Sequence, residues 1–124
     1  MIKKEAEILN NDPSKVFLGG FSQGSFVSLY TSHVLEEKIG GVILVAAFMS
    51  KVVNKLPEKK ELPATLVIHG LKDEMTKWEN AEKDLKDFLG RANVKTILIE
   101  DMKHDVYHPD AKLAINAFLR ERTQ

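Results

Sequence analysis

Three residues have the types and the spacing for nucleophilic acyl transfer: Ser22, Asp73 and His104. Ser22 is the centre of Gly20-Phe21-Ser22-Gln23-Gly24, a G-x-S-x-G run that follows one apolar stretch and opens an amphipathic one. In a sharp strand-to-helix turn of that kind the backbone on either side of the serine comes close to its neighbours, which is the expected reason for both glycines. The serine also falls at a helix N-terminus, where unpaired N–H groups face a developing oxyanion, and the backbone N–H of Gln23 is the expected donor. Asp73, in His69-Gly70-Leu71-Lys72-Asp73, is placed to orient an imidazole and stabilise its charged form. His104, in Asp101-Met102-Lys103-His104, supplies that imidazole. A lone loop aspartate is more often a turn residue. The conjunction carries the weight: serine, aspartate and histidine occur in that chain order, each just past an apolar run.

Competing chemistries fail on spacing. A dinucleotide fingerprint ending at Gly24 needs glycine at Phe21, and a P-loop from Gly19 to Gly24 needs lysine at Ser25. His104-Asp105-Val106-Tyr107-His108 has the spacing of a zinc H-E-x-x-H motif with aspartate for glutamate. That motif works only on a helix, and Pro109 pushes His108 out of the α region, so no metal site is assigned. His108 is the rival triad base. It lies further from the preceding strand and just before the last helix, so His104 is preferred. His33 reads as a packing histidine on a helix face, and His69 as a structural residue at a strand end close to the site.

The elements that must position these residues alternate. A helical pattern in Ile2, Ala6 and Leu9 stops at Asn10-Asn11-Asp12-Pro13. Val16-Phe17-Leu18 then reads as a strand buried on both faces, and Phe26, Leu29, Tyr30, His33 and Val34 as the buried stripe of a helix. Gly40-Gly41 precedes a second strand, Val42 to Ala47. A lysine- and glutamate-rich connection runs from Ser50 to Pro63, followed by a strand from Ala64 to His69. Trp78, Ala81, Leu85, Phe88 and Leu89 mark a helix stopped by Gly90. Val94 to Ile99 is the fourth strand. A last helix opens at Pro109 and buries Leu113, Ala114, Ala117 and Phe118. Strands alternating with amphipathic helices predict an α/β fold of about four parallel strands with right-handed crossovers. Ligands in such sheets collect at the carboxyl ends of the strands, where all three residues fall.

With 124 residues the chain has the length of one domain, residues 1–124. Lys plus Arg and Asp plus Glu number 18 each, so no global field points to nucleic acid or an anionic membrane. No stretch has the length of a transmembrane helix, and Met1-Ile2-Lys3-Lys4-Glu5 lacks the apolar core of a signal peptide. The absence of cysteine removes disulfides and thiolate chemistry and fits a cytoplasmic protein.

Leu18-Gly19-Gly20-Phe21-Ser22-Gln23-Gly24, His69-Gly70-x-x-Asp73 and Met102-Lys103-His104 together resemble the phospholipase/carboxylesterase family of α/β-hydrolases, which includes the acyl-protein thioesterases. The resemblance runs from Met1 to the last helix. It implies a Ser22–His104–Asp73 triad hydrolysing carboxyl esters or acyl thioesters, lipid-modified proteins among them, with no metal and no organic cofactor. The sequence departs from the family where Glu74-Met75-Thr76-Lys77 replaces a valine-proline pair. Asp101 and Lys103 replace glycines around Met102, and Ala46-Ala47-Phe48 stands where serine-glycine is common. The resemblance also implies four earlier strands, with a second oxyanion donor and part of the acyl pocket, absent from this chain. Val16-Phe17-Leu18 would then be an exposed edge, suited to a homodimer or to pairing with a separate N-terminal half. The alternative function is a catalytically weak or inactive hydrolase-like half.

Overall fold

The computed structural model describes residues 15–34, 39–47, 63–89, 93–105 and 107–123. Along them run β1 (Phe17–Phe21), α1 (Gln23–Val34), β2 (Gly41–Val45), β3 (Thr65–Gly70), α2 (Trp78–Asp84), α3 (Lys86–Leu89), β4 (Val94–Ile99) and α4 (Pro109–Thr123). The four strands form one parallel sheet in the order β1-β2-β3-β4. The helix expected over Ile2 to Leu9 lies outside the described residues, as does all but the last residue of the Ser50–Pro63 connection.

β2 and β3 are buried along their whole length. The apolar runs Val42 to Val45 and Leu66 to Ile68 follow from that, because alternate side chains enter two different cores. Val42, Leu44 and Val67 pack with Leu29 and Leu85. Ile43, Val45, Leu66 and Ile68 pack on the other face with Met102, Ala111 and Phe118. Each such side chain stabilises the fold by about 1.5–3 kcal/mol when fully buried. β1 and β4 are the edges and are only partly covered. The expectation that Val16-Phe17-Leu18 is buried on both faces is therefore corrected: the strand starts at Phe17, takes in the elbow glycines, and leaves Gly19 and Phe21 exposed.

Two helices present faces other than those expected. α1 buries Ser25, Ser28, Leu29, Ser32 and His33, one position round from the apolar stripe, and leaves Tyr30 and Val34 about half exposed. The elbow sets that rotation. The Ser25 hydroxyl lies 3.1 Å from the Gly20 carbonyl and 3.2 Å from that of Val45, so the small residues that follow at helical spacing face the sheet. His33 is a packing histidine as expected, with Nδ1 2.8 Å from the Leu29 carbonyl. α4 buries Ala111 and Phe118 while Leu113 and Ala117 are exposed, because Phe118 packs edge-on to Phe17 at 6.2 Å.

The helix expected from Trp78 to Leu89 is two helices, broken at buried Leu85, where φ is −96° and ψ is 7°. Gly90, its expected stop, lies outside the described residues. Among the described residues no helix is long and apolar enough to cross a membrane.

Candidate active site

β1 ends at Phe21 and α1 begins at Gln23, so Ser22 makes the turn between them alone. Its φ of 56° lies in the left-handed region, which costs a residue with a Cβ about 1–3 kcal/mol. Backbone bonds hold it there: the Ser22 N–H donates to the Val45 carbonyl at 2.9 Å, and its own carbonyl accepts the Ser25 N–H at 3.0 Å. Gly20 is required by close approach, since a Cβ there would lie 2.6 Å from the Ser25 nitrogen and overlap the Gly24 carbonyl. Gly24 is not: a Cβ on it would meet nothing within 4 Å, which corrects the expectation that crowding requires both glycines. Gln23 is exposed at the first position of α1, where a backbone N–H has no partner within the helix.

The carboxyl ends of β3 and β4 carry the other two residues. The Asp73 carboxylate is buried and fully occupied. Its Oδ1 accepts the Met75 N–H at 3.0 Å and the Thr76 N–H at 2.7 Å. Its Oδ2 accepts Nδ1–H of His104 at 2.8 Å. Asp73 thus unites the two readings of a loop aspartate, being a turn residue through one oxygen and an imidazole partner through the other. With Nδ1 engaged by the carboxylate, Nε2 of His104 is the ring nitrogen left for another partner.

The residue before Ser22 touches this pair. The ring of Phe21 lies 4.8 Å from that of His104, tilted by 45°. Among the described residues no hydrogen bond joins the Ser22 hydroxyl to His104. A cavity of about 750 Å³ opens beside His104 and Asp73, walled by Leu71, Met75 and Trp78 and rimmed by Lys77 and Lys103.

His108 is elsewhere. Its Nε2 lies 3.0 Å from Asp101 Oδ1, and its Nδ1 accepts the Asp110 N–H at 3.1 Å, so it caps α4. Asp101, His108 and Asp110 bring ligand-type atoms within 4.8 Å of one another on the surface, but their contacts to each other account for that grouping. His69 is fully buried at the end of β3, donates Nε2–H to the Thr76 carbonyl, and lies 5.4 Å from the Trp78 ring, tilted by 50°. Burial pushes its imidazole below the ordinary 6.5, against smaller opposing effects of the Thr76 bond and the Asp73 charge, so the ring is neutral near pH 7.

Sequence reasoning missed Ser25, Thr76 and the ring of Phe21. Ser25 follows Ser22 by three residues, and a small polar residue one turn into a helix that starts against strand ends is a usable signal. Thr76 acts through its backbone, which leaves no trace in residue type.

Residues 1–120 match the phospholipase/carboxylesterase family. Acyl-protein thioesterase 1 of Aspergillus fumigatus is 34% identical over 101 residues, covering 77% of this chain and 39% of that protein. The Debaryomyces hansenii acyl-protein thioesterase 1 is 30% identical over 122 residues, covering 94% of this chain and 52% of that protein. Among solved structures, esterase PE8 superposes with a TM-score of 0.75 at 26% identity, covering 98% of this chain and 56% of that one. SOBER1 of Arabidopsis thaliana superposes at 0.70 with 22% identity, covering 99% and 63%. The chain therefore spans between 39% and 52% of the length of these two thioesterases. The expected partial α/β-hydrolase architecture of four parallel strands is borne out. On a match across nearly its whole length, the chain belongs to the phospholipase/carboxylesterase family of α/β-hydrolases.

Proposed function

We propose that this chain carries the catalytic half of a serine hydrolase that cleaves carboxyl esters or acyl thioesters. The observation that supports it most is the buried Asp73 carboxylate, with one oxygen fixed by two backbone N–H groups and the other 2.8 Å from His104 Nδ1. In this reading the Ser22 oxygen attacks the acyl carbon while His104 Nε2 takes its proton. Asp73 holds the tautomer and stabilises the imidazolium. The Gln23 N–H faces the tetrahedral oxyanion. Collapse breaks the bond to the alcohol or thiol, which leaves with the proton from His104, and water then releases the acid by the same steps. The matched relatives named acyl-protein thioesterase make acylated protein a substrate to test alongside small esters.

The span relative to those thioesterases favours a second reading, an isolated chain with weak turnover. A missing oxyanion donor costs on the order of 10²–10³-fold in turnover. The outer edge of β1 has no strand partner among the described residues, and we assign it to pairing with a second copy or a separate N-terminal half. The cysteine-free composition is in keeping with the cytoplasm. Hydrolysis of a short p-nitrophenyl ester and of a palmitoyl thioester, each compared with Ser22→Ala, tests the proposal. A first-turnover burst lost in Ser22→Ala supports it, and equal rates in both proteins reject it.

A further inference from the structure

We propose that His69 is the positioning residue of the triad loop: by donating Nε2–H to the Thr76 carbonyl it fixes the peptide whose N–H holds Asp73 Oδ1, which leaves Asp73 Oδ2 aimed at His104. This rests on reading Asp73 and His104 as two members of a triad. The geometry is a closed chain. His69 Nε2 contacts the Thr76 carbonyl, the Thr76 N–H lies 2.7 Å from Asp73 Oδ1, and Asp73 Oδ2 lies 2.8 Å from His104 Nδ1. His69 Nε2 also lies 3.9 Å from the same Oδ2, so the ring flanks the carboxylate directly.

Two further features separate this role from plain packing. Nδ1 of His69 is a buried nitrogen with no hydrogen-bond partner among the described residues. A group that served only to fill space would avoid that cost of about 1–3 kcal/mol by being apolar. The bare Nδ1 also specifies the Nε2–H tautomer, the one with a proton for Thr76. Trp78 packs against the ring, 5.4 Å away and tilted by 50°. The loop that His69 ties down, Glu74-Met75-Thr76-Lys77, contains no proline to stiffen it.

The test compares His69→Gln, whose amide keeps a donor near the Nε2 position, with His69→Leu, which does not. The readout is the low-field proton resonance of His104 Nδ1–H in the whole 124-residue chain, with folding checked by amide dispersion. The resonance persists in the wild type and in His69→Gln and is lost in folded His69→Leu. A resonance unchanged in His69→Leu overturns the proposal. Should His69→Leu fail to fold, nitrogen-15 shifts of the wild-type ring decide: an Nε2–H tautomer coupled to Thr76 supports it, and Nδ1–H overturns it. In turnover, kcat falls about a hundredfold in His69→Leu at unchanged KM, as for a displacement near 1 Å, and His69→Gln recovers most of it. Failure of Ser22 itself to react would overturn the triad reading and leave these NMR outcomes separately decisive for His69.

Discussion

Gly70 lies directly against the backbone of Met102: a Cβ on Gly70 would fall 2.6 Å from the Met102 carbonyl carbon and overlap its oxygen. The Lys72 N–H donates to that same carbonyl at 3.0 Å. These contacts fasten the loop after β3, which carries Asp73, to the loop after β4, which carries His104. Gly70→Ala is expected to lose about 1–3 kcal/mol through overpacking and to lengthen the Asp73–His104 hydrogen bond. Urea unfolding measures the first effect and the low-field His104 proton resonance the second. An unaltered midpoint contradicts the account.

Asp73→Asn keeps an oxygen for the Met75 and Thr76 N–H groups but puts a neutral amide against His104. Loss of the imidazole's orientation and charge partner is expected to lower kcat by about 10³–10⁴-fold at nearly unchanged KM. Steady-state kinetics on a short ester reads it. A drop of less than tenfold would mean that His104 does not depend on Asp73.

Ser22 and Ala46 both hold positive φ, 56° and 51°. Glycine relieves that strain at either position. Ser22→Gly should raise stability by about 1 kcal/mol and abolish hydrolysis, whereas Ala46→Gly, which also deletes a fully buried methyl, should gain less than that and retain the Ser22 hydroxyl's reactivity. Denaturant midpoints at unchanged m-value measure both. Destabilisation in Ser22→Gly contradicts the claim that the elbow stores strain.

His69 is pushed below 6.5 in the folded chain by burial. The unfolded chain therefore binds the proton first as pH falls, so stability drops from about pH 6.5 down to the folded value and levels off below it. The slope contributed by this one site does not exceed about 1.4 kcal/mol per pH unit. Unfolding midpoints from pH 7.5 to 5 in wild type and His69→Gln isolate that component as the difference. A variant with an identical profile contradicts the neutral, buried assignment.

The outer edge of β1 leads to a prediction about association. Wild type should elute from size-exclusion columns with a concentration-dependent volume. Gly19→Lys, at an exposed position of β1, should elute as a monomer because a charged edge resists strand addition. A wild-type monomer at every concentration counts against pairing through this edge.

Much of the fold was legible because β2 and β3 carry short continuous apolar runs, Val42 to Val45 and Leu66 to Ile68, as a strand covered on both faces requires. The elbow was legible because Gly20 has no substitute. Which face each helix presents was not. α1 buries serines while Tyr30 and Val34 are exposed, since the elbow's hydrogen bonds to Ser25, rather than hydrophobic periodicity, set its rotation. The break at Leu85 likewise follows from packing, as no glycine or proline marks it. In the site, Ser22, Asp73 and His104 stood out by type and order. His69 was legible only as a structural residue near the site, and Thr76 not at all, because their part depends on a side-chain-to-backbone bond and on a backbone N–H.

The central claim, that Ser22 is a nucleophile activated by His104 and Asp73, is tested most directly by reaction with a fluorophosphonate followed by intact-mass and peptide mapping. One adduct is expected, on Ser22, absent in Ser22→Ala and formed at least a hundredfold more slowly in Asp73→Asn. Folded protein that forms no adduct, or forms one on another residue, would contradict it.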